Sequence, residues 1–418
     1  METILWVLPY APLFLLVISL VITVHELGHY WVGRWFGAAA ESFAIGFGKP
    51  IWEVRDRRGT RWRINWIPLG GFVKFVGEAQ LAQDVTSDQP PTVETEEQRA
   101  QLAKAHRPAA AVEGVETTLY EDQVLVGKPY TLLNPWQRIA VSLGGPFANF
   151  IFAILAFATI GYTHGVPEAK EVYVTGVVAG SAAERAGFQP GDVVLQAGPR
   201  VVQTGQDVVS ATQLSAGEDV IYRVRRGAEE LMLVAAPVES EIRDETLRMK
   251  QKVGRVGIEI AQRDSSMRGL NPVEALGHGV YRTTDAIGQT LNVLRRLVTG
   301  KEGIDKLSGP VGILHLTGGV TEATMKQEDV SFGEKMNQLF WMLFQLAALL
   351  SVGIGFFNLL PLPVLDGGAV MMHLAEGVTG KPLPEKVQSA GLTIGLVCLV
   401  GFALVVTLQD VFRLSGGS

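Results

Sequence analysis

Four stretches of this chain are too apolar and too long to lie in water, and any fold must accommodate them. They run over Ile4–Val24, Ala140–Tyr162, Leu339–Leu360 and Leu392–Leu408, each near the roughly 20 residues a helix needs to cross a bilayer. Across the 418 residues only 19% are charged and 47% are hydrophobic, whereas a soluble domain carries about 25% charged residues. The first run follows Met1-Glu2-Thr3, with no basic segment ahead of it and no small-residue cleavage site after it. It therefore reads as a retained helix, not a removable signal. The 36 basic and 42 acidic side chains leave a net charge of −6, which argues against nucleic-acid binding driven by phosphate contacts. The single cysteine, Cys398, excludes a disulfide-stapled scaffold.

These runs predict a polytopic α-helical membrane protein with four transmembrane helices. Arg34, Lys49, Arg55, Arg57, Arg58, Arg61 and Arg63 follow the first helix, and Lys128 and Arg138 precede the second. By the excess of basic residues on the cytoplasmic side, residues 33–138 are expected inside. Residues of about 165–335 and both termini are then expected outside.

The segments between the helices differ in character. Residues 1–77 hold the first helix and a strand-like element: Ile51–Arg55 and Arg61–Trp66 alternate around an Asp56–Gly59 turn. Trp62, Ile64 and Trp66 share one face, which fits either a β element associated with the membrane or a small cytoplasmic hairpin packed on itself. Residues 78–127 are rich in Gln, Glu, Ala, Thr and Pro, with few large apolar groups to offset ordering entropy, so a mobile cytoplasmic insert is expected. Residues 128–167 carry the second helix. Residues 168–262 contain short β-rich runs at 172–178, 193–196, 220–225, 231–234 and 257–260. They surround Gly180-Ser181-Ala182-Ala183-Glu184-Arg185-Ala186-Gly187-Phe188-Gln189-Pro190-Gly191-Asp192. That stretch resembles the PDZ signature, although Ala197-Gly198-Pro199 stands where Asn-Gly is usual, and it implies one extramembrane α+β PDZ-like domain. Residues 263–335 read as amphipathic linker helices, with Val273, Leu276, Val280, Ile287, Leu291 and Leu294 on one face. Residues 336–418 hold the third and fourth helices.

Chemistry concentrates at two places. The first helix ends in His25-Glu26-Leu27-Gly28-His29. Histidines four apart share a helix face and can hold one metal ion, with Glu26 beside them as a general base. Far along the chain lies Asn358-Leu359-Leu360-Pro361-Leu362-Pro363-Val364-Leu365-Asp366-Gly367-Gly368. Its two prolines break an apolar span. Asp366 beside the break is the candidate third ligand, and Asn358 can hydrogen-bond a substrate carbonyl.

These two segments together resemble the site-2 protease family of intramembrane zinc metalloproteases, in the bacterial branch of the regulator-of-sigma-E protease. Gly46-Phe47-Gly48, Gly70-Gly71-Phe72-Val73-Lys74, Gly144-Gly145-Pro146-Phe147-Ala148-Asn149 and Ser308-Gly309-Pro310-Val311-Gly312 extend the likeness over nearly the whole chain. The resemblance implies Zn2+ held by His25, His29 and Asp366, with Glu26 as base and with Asn358, Pro361 and Pro363 binding substrate. It also implies a location in the bacterial inner membrane, in contact with lipid. The expected substrate is a single-span membrane protein such as an anti-sigma factor, first cut outside by an upstream site-1-type protease. Two other classes fit the metal ligands less well. A scaffold with structural zinc predicts a closed four-ligand site, and an ion transporter gives the PDZ-like module no purpose.

Overall fold

The computed structural model describes residues 8–78, 117–120, 123–213, 215–244, 249–264, 266–301, 309–381 and 383–415. Four helices are long and apolar enough to cross a membrane, at Leu8–Trp35, Pro135–His164, Phe332–Asn358 and Lys386–Phe412. Each expected span is helical over its described residues, except that the third ends at Asn358, two residues short of Leu360. The chain divides into two compact units, one of Pro9–Ile154 with Met342–Val405, the other of Leu155–Trp341 with Val406–Ser418.

The first unit begins with helix α1 (Ala11–Trp35), followed by β1 (Ala40–Arg55) and β2 (Arg61–Phe75). Residues 40–45 of β1 lie beside two stretches of β2. They run antiparallel to 71–75, with Ala44 opposite Phe72, and in rising register with 61–64, with Ala44 also opposite Arg63. Residues 52–55 then pair with 61–64 on the outer side. The turn is organised by Asp56, whose Oδ1 accepts the N–H groups of Arg58 at 2.8 Å and Thr60 at 3.0 Å. Its Oδ2 accepts from Tyr30 of α1 at 3.2 Å and from the Trp62 indole at 3.1 Å. One carboxylate thus closes the hairpin and ties it to the helix.

Trp62 packs against Tyr30 and Phe43, with ring centroids at 5.2 and 4.6 Å. Ile64 and Trp66 are exposed. The expected shared face of Trp62, Ile64 and Trp66 is therefore divided. The strand leaves the core beyond Trp62, and its outer end carries exposed Phe47, Ile51, Trp52, Trp66 and Ile67.

Residues 79–116 of the expected insert lie outside the described residues. Its C-terminal part differs from expectation, because β3 (Thr117–Tyr120) and β4 (Gln123–Val126) form a hairpin. Leu125 is fully buried with Ala39 and Val76. Backbone bonds from Ala39 N–H to Lys128 C=O (2.8 Å) and from Tyr130 N–H to Val76 C=O (2.7 Å) stitch this part to the ends of the first hairpin. Buried Leu125 and these backbone bonds anchor a stretch whose composition reads as polar.

Helix α2 (Pro135–His164) continues from the first unit into the second. There, strands β5 (Val166–Glu168), β6 (Glu171–Val177), β7 (Val193–Ala197), β8 (Arg200–Val201), β9 (Val220–Arg226) and β10 (Glu229–Ala235) appear in sequence order. They are interrupted by α3 (Ala182–Ala186) and α4 (Gly205–Gln213), and are followed by β11 (Val238–Asp244), β12 (Met249–Arg255), β13 (Ile258–Arg263) and β14 (Ser266–Arg268). The main sheet has the order β10-β9-β7-β6-β13, with β8 on β7. All five strands anticipated from sequence lie in it. The β11–β12 hairpin, rich in charged residues, was not anticipated. Ser181 caps α3 by accepting the Glu184 N–H, and Gly187 ends it at φ +85°, a conformation that glycine adopts without strain. Phe188 packs edge-on against the buried Tyr222.

Two long elements follow. Helix α5 (Pro272–Val298) opens with an Asn271–Glu274 capping box, buries Ala275, Gly279 and Thr283, and exposes Val273, Leu276 and Val280. Its apolar stripe thus faces away from the unit. Helix α6 (Pro310–Met325) is capped from a distance, since buried Asp410 accepts the Gly312 N–H at 2.7 Å. The remaining helices are α7 (Phe332–Asn358), α8 (Asp366–Thr379) and α9 (Glu385–Ser415).

Asp192 of the Gly-Asp turn is fully buried, and its carboxylate accepts from Arg226 Nε (2.7 Å), Arg226 Nη2 (2.8 Å) and the Gln189 N–H (2.9 Å). Burial acts to raise its pKa, but the bonds from Arg226 and Gln189 prevail and hold the carboxyl below its ordinary value. A depressed carboxylate contributes stability at pH above its unfolded pKa and loses it as pH falls through the folded one. Asp192→Asn should therefore lower the melting temperature at pH 7, with a loss of about 1–3 kcal/mol. The gap to the wild type should close as thermal melts are taken below about pH 4.

Candidate metal centre

Helix geometry places His25 and His29 on one face of α1. Both are buried, their rings meet edge-on at 4.7 Å, and their Nε2 atoms approach to 3.1 Å. Asp366 closes a triangle with them. Its Oδ2 lies 3.0 Å from His25 Nε2, and its Oδ1 lies 3.4 Å from His29 Nε2. Among the described residues these three form the one group of histidine, cysteine or carboxylate side chains whose ligand atoms all lie within 4.8 Å of one another. Bonds of about 2.0–2.1 Å to a tetrahedral zinc put neighbouring donors roughly 3.3 Å apart. The two imidazole nitrogens, and each of them with the nearer carboxylate oxygen, stand close to that spacing, and two imidazoles with one carboxylate are a donor set zinc accepts.

Asp366 stands where it does because the helix before it cannot continue. Pro361 has no N–H to offer, so α7 ends at Asn358. Tight backbone bonds from Leu362 to Leu360 (2.7 Å) and from Leu365 to Leu362 (2.9 Å) then turn the chain into α8, of which Asp366 is the first residue. The turn wraps so closely that a Cβ at Gly367 or Gly368 would strike the carbonyls of Leu360 and Leu362. Pro363 packs along α9 at Gly391 and Gly395, while Pro361 is exposed.

The histidines are seated against α2. A Cβ on Gly28 would strike the Gly144 carbonyl, and one on Gly145 would strike the imidazoles of both His29 and His25. Small residues at this crossing let the backbones meet, as in packed membrane helices. His29 Nδ1–H donates to the Val141 carbonyl at 2.8 Å, which leaves Nε2 as the free lone pair facing the triangle. On His25, Nδ1 lies 3.2 Å from the side-chain amide of Asn149, and Nε2 lies 3.3 Å from Nδ2 of Asn358.

Glu26 stands outside the triangle. Its Oε2 accepts the backbone N–H of Val73 in β2 at 3.1 Å, and Gly71 lies against its Cγ. The Gly70–Lys74 motif thus borders the carboxylate. The structure brings together His25, His29, Asp366 and Asn358, places Glu26 beside them on α1, and sets Pro361 and Pro363 in the turn leading to Asp366. His373 does not join the ligand group, and it faces Tyr130 and Glu376. Sequence reasoning assigned no role to Gly145, Asn149, Val141 or Val73. For the first two, the only signal was the Gly-Gly-Pro-Phe-Ala-Asn run itself.

The contact at Gly145 is directly testable. Gly145→Val should leave helix content intact by circular dichroism. It should reduce zinc retained by the purified protein at least tenfold, roughly the cost of displacing the supports of a metal ligand, as read by elemental analysis.

Comparison with known proteins agrees with this geometry. The description of peptidase family M50 matches residues 13–402. Metalloprotease MmpA of Caulobacter vibrioides is 36% identical over 412 residues, covering 96% of both chains. Two proteins named for zinc metalloprotease activity are similarly close. Atu1380 of Agrobacterium fabrum is 35% identical over 405 residues, with 96% of each chain covered. BR1156 of Brucella suis is 33% identical over 402 residues, covering 96% of this chain and 94% of its own. With four helices of membrane-spanning character and a zinc-compatible ligand group, this chain belongs to peptidase family M50 and is a zinc metalloprotease of the membrane.

Proposed function

We propose that the enzyme hydrolyses a peptide bond within the membrane, in a transmembrane segment of a single-span substrate. The observation that carries this reading is the position of the ligand triangle. His25 and His29 lie within the apolar α1, and Asp366 opens α8 just past the turn that ends the apolar α7. In this reading His25, His29 and Asp366 hold the zinc. When bound, zinc lowers the pKa of a water to about 7 and polarises a carbonyl. Glu26 takes the proton from the attacking water and returns it to the leaving amine. Asn358 donates from Nδ2 to the substrate carbonyl. Pro361 and Pro363 hold the turn that lines the cleft open.

A helical substrate hides its peptide bonds in its own hydrogen bonds, so it must unwind before cleavage. The 71–75 edge of β2 is suited to receive it, since this edge lies beside Glu26 and one of its N–H groups already points outward. An unwound segment pairs there as an added strand. The exposed aromatic and aliphatic side chains at the far end of the hairpin are placed in the bilayer, and the apolar stripe of α5 rests on its surface.

Residues 168–262 act as a PDZ-like module on the outer face of the bacterial inner membrane, with both termini outside and 33–138 cytoplasmic. The β order and the Ser181-capped helix before the Gly191-Asp192 turn support this reading. The module excludes substrates whose outer domain is intact, so that an upstream site-1-type protease must act first. An anti-sigma factor of a stress response is a substrate of this kind.

Two experiments test the proposal on a single-span substrate in reconstituted vesicles. Glu26→Gln should keep its zinc and lose cleavage by about 10²–10⁴-fold, the usual worth of a general base; normal turnover would exclude the mechanism. Deleting residues 168–262 should permit cleavage of uncut substrate, whereas unchanged selectivity would remove the gating role.

A further inference from the structure

Three of the four polar neighbours of the His25 ring have places in the reading above: His29 and Asp366 as fellow ligands and Asn358 as substrate donor. The fourth, Asn149, does not. It is fully buried on α2, at the level where that helix meets α1. Its own backbone is fixed from α7, where the Ser351 hydroxyl donates to the Asn149 carbonyl at 3.0 Å. A Cβ on Gly355, also in α7, would come within 3.1 Å of the Asn149 Cβ. The residue is therefore seated against α7, and its side-chain amide meets one atom, His25 Nδ1, with Nδ2 at 3.2 Å.

Which end of the amide faces the ring is decided by the ring. An imidazole that gives Nε2 to a metal is neutral and carries its proton on Nδ1. A nitrogen bearing a proton cannot accept from an amide N–H, so its partner must be an oxygen. A half-turn of the Asn149 amide exchanges Nδ2 and Oδ1 in nearly the same volume. The other end of the amide, occupied by Oδ1, faces no hydrogen-bond partner among the described residues. The surroundings therefore leave the choice of end to the histidine.

We propose that Asn149 is a positioning residue of the metal centre. Its side-chain carbonyl accepts the Nδ1–H of His25 and so turns Nε2, as a lone pair, toward Asp366 and His29. The arrangement parallels that of His29, whose Nδ1–H donates to Val141. Each metal-facing imidazole is thus oriented from α2, one by a backbone carbonyl and one by a side chain. This inference rests on the reading of His25, His29 and Asp366 as zinc ligands.

The test measures zinc retained by the purified full-length protein in detergent against graded concentrations of a chelator. Wild type is compared with Asn149→Ala, Asn149→Asp and His25→Ala, after size exclusion and circular dichroism have established folding. Asn149→Ala should bind zinc about 10–100-fold more weakly, the usual effect of losing such a partner. Asn149→Asp, an acceptor with no N–H, should stay close to wild type. Wild-type affinity in folded Asn149→Ala overturns the proposal, and so does a loss in Asn149→Asp as large as that in Asn149→Ala. Where Asn149→Ala does not fold, Asn149→Asp alone decides: retained zinc supports an acceptor role, and lost zinc overturns it. The control separates the two levels of the argument. Zinc retained by His25→Ala removes the ligand reading itself, whereas zinc lost there but kept in Asn149→Ala removes only the positioning role.

Discussion

Two imidazole nitrogens and a carboxylate brought within 4.8 Å of one another are the constraint around which the first unit is built. Polar groups of this kind in an apolar span cost several kcal/mol unless they find partners. Here each partner comes from a different stretch of chain. His25 and His29 come from α1, Val141 and Asn149 from α2, and Asp366 from the start of α8. No single helix could supply the set. Three segments separated by more than a hundred residues must meet at one depth, and glycines at 28, 144 and 145 allow the first of those meetings.

The same economy of local devices recurs where the chain turns. Asp56 closes the β1–β2 hairpin and grips α1 through Tyr30, while Asp192 closes the turn after α3 and grips β9 through Arg226. Asp410 caps a helix nearly a hundred residues before it in the chain. Asp56, half-buried, and Asp192, fully buried, each satisfy several donors at once. This is the condition under which burying an acid stabilises instead of costing.

Much of this was legible from the residues alone. Long apolar runs report membrane helices directly, and histidines at i and i+4 report a shared face because helix geometry is local. Asp366 was found because two prolines advertise a break. What sequence could not show depends on contacts between distant segments. Nothing local distinguishes Gly145, which must leave room for two imidazoles, from a glycine that merely permits helix packing. Asn149 likewise reads as an ordinary polar residue in a helix until α1 is laid across it. The β11–β12 hairpin escaped notice because its strands are dominated by Glu, Arg, Lys and Gln and carry little alternation of apolar character. The hairpin at 117–126 escaped because its order rests on Leu125 and on backbone bonds to segments about fifty and ninety residues earlier.

The bond between the Val73 amide and Glu26 has a consequence for how the enzyme tolerates change. Neighbouring amides in a strand point to opposite edges, so a slip of β2 by one position would turn a carbonyl, not an N–H, toward the acid. Glu26 is thereby indexed to a strand. An insertion or deletion within β2 ahead of Val73 would act on the site as a shift of phase, even with His25, His29 and Asp366 left in place.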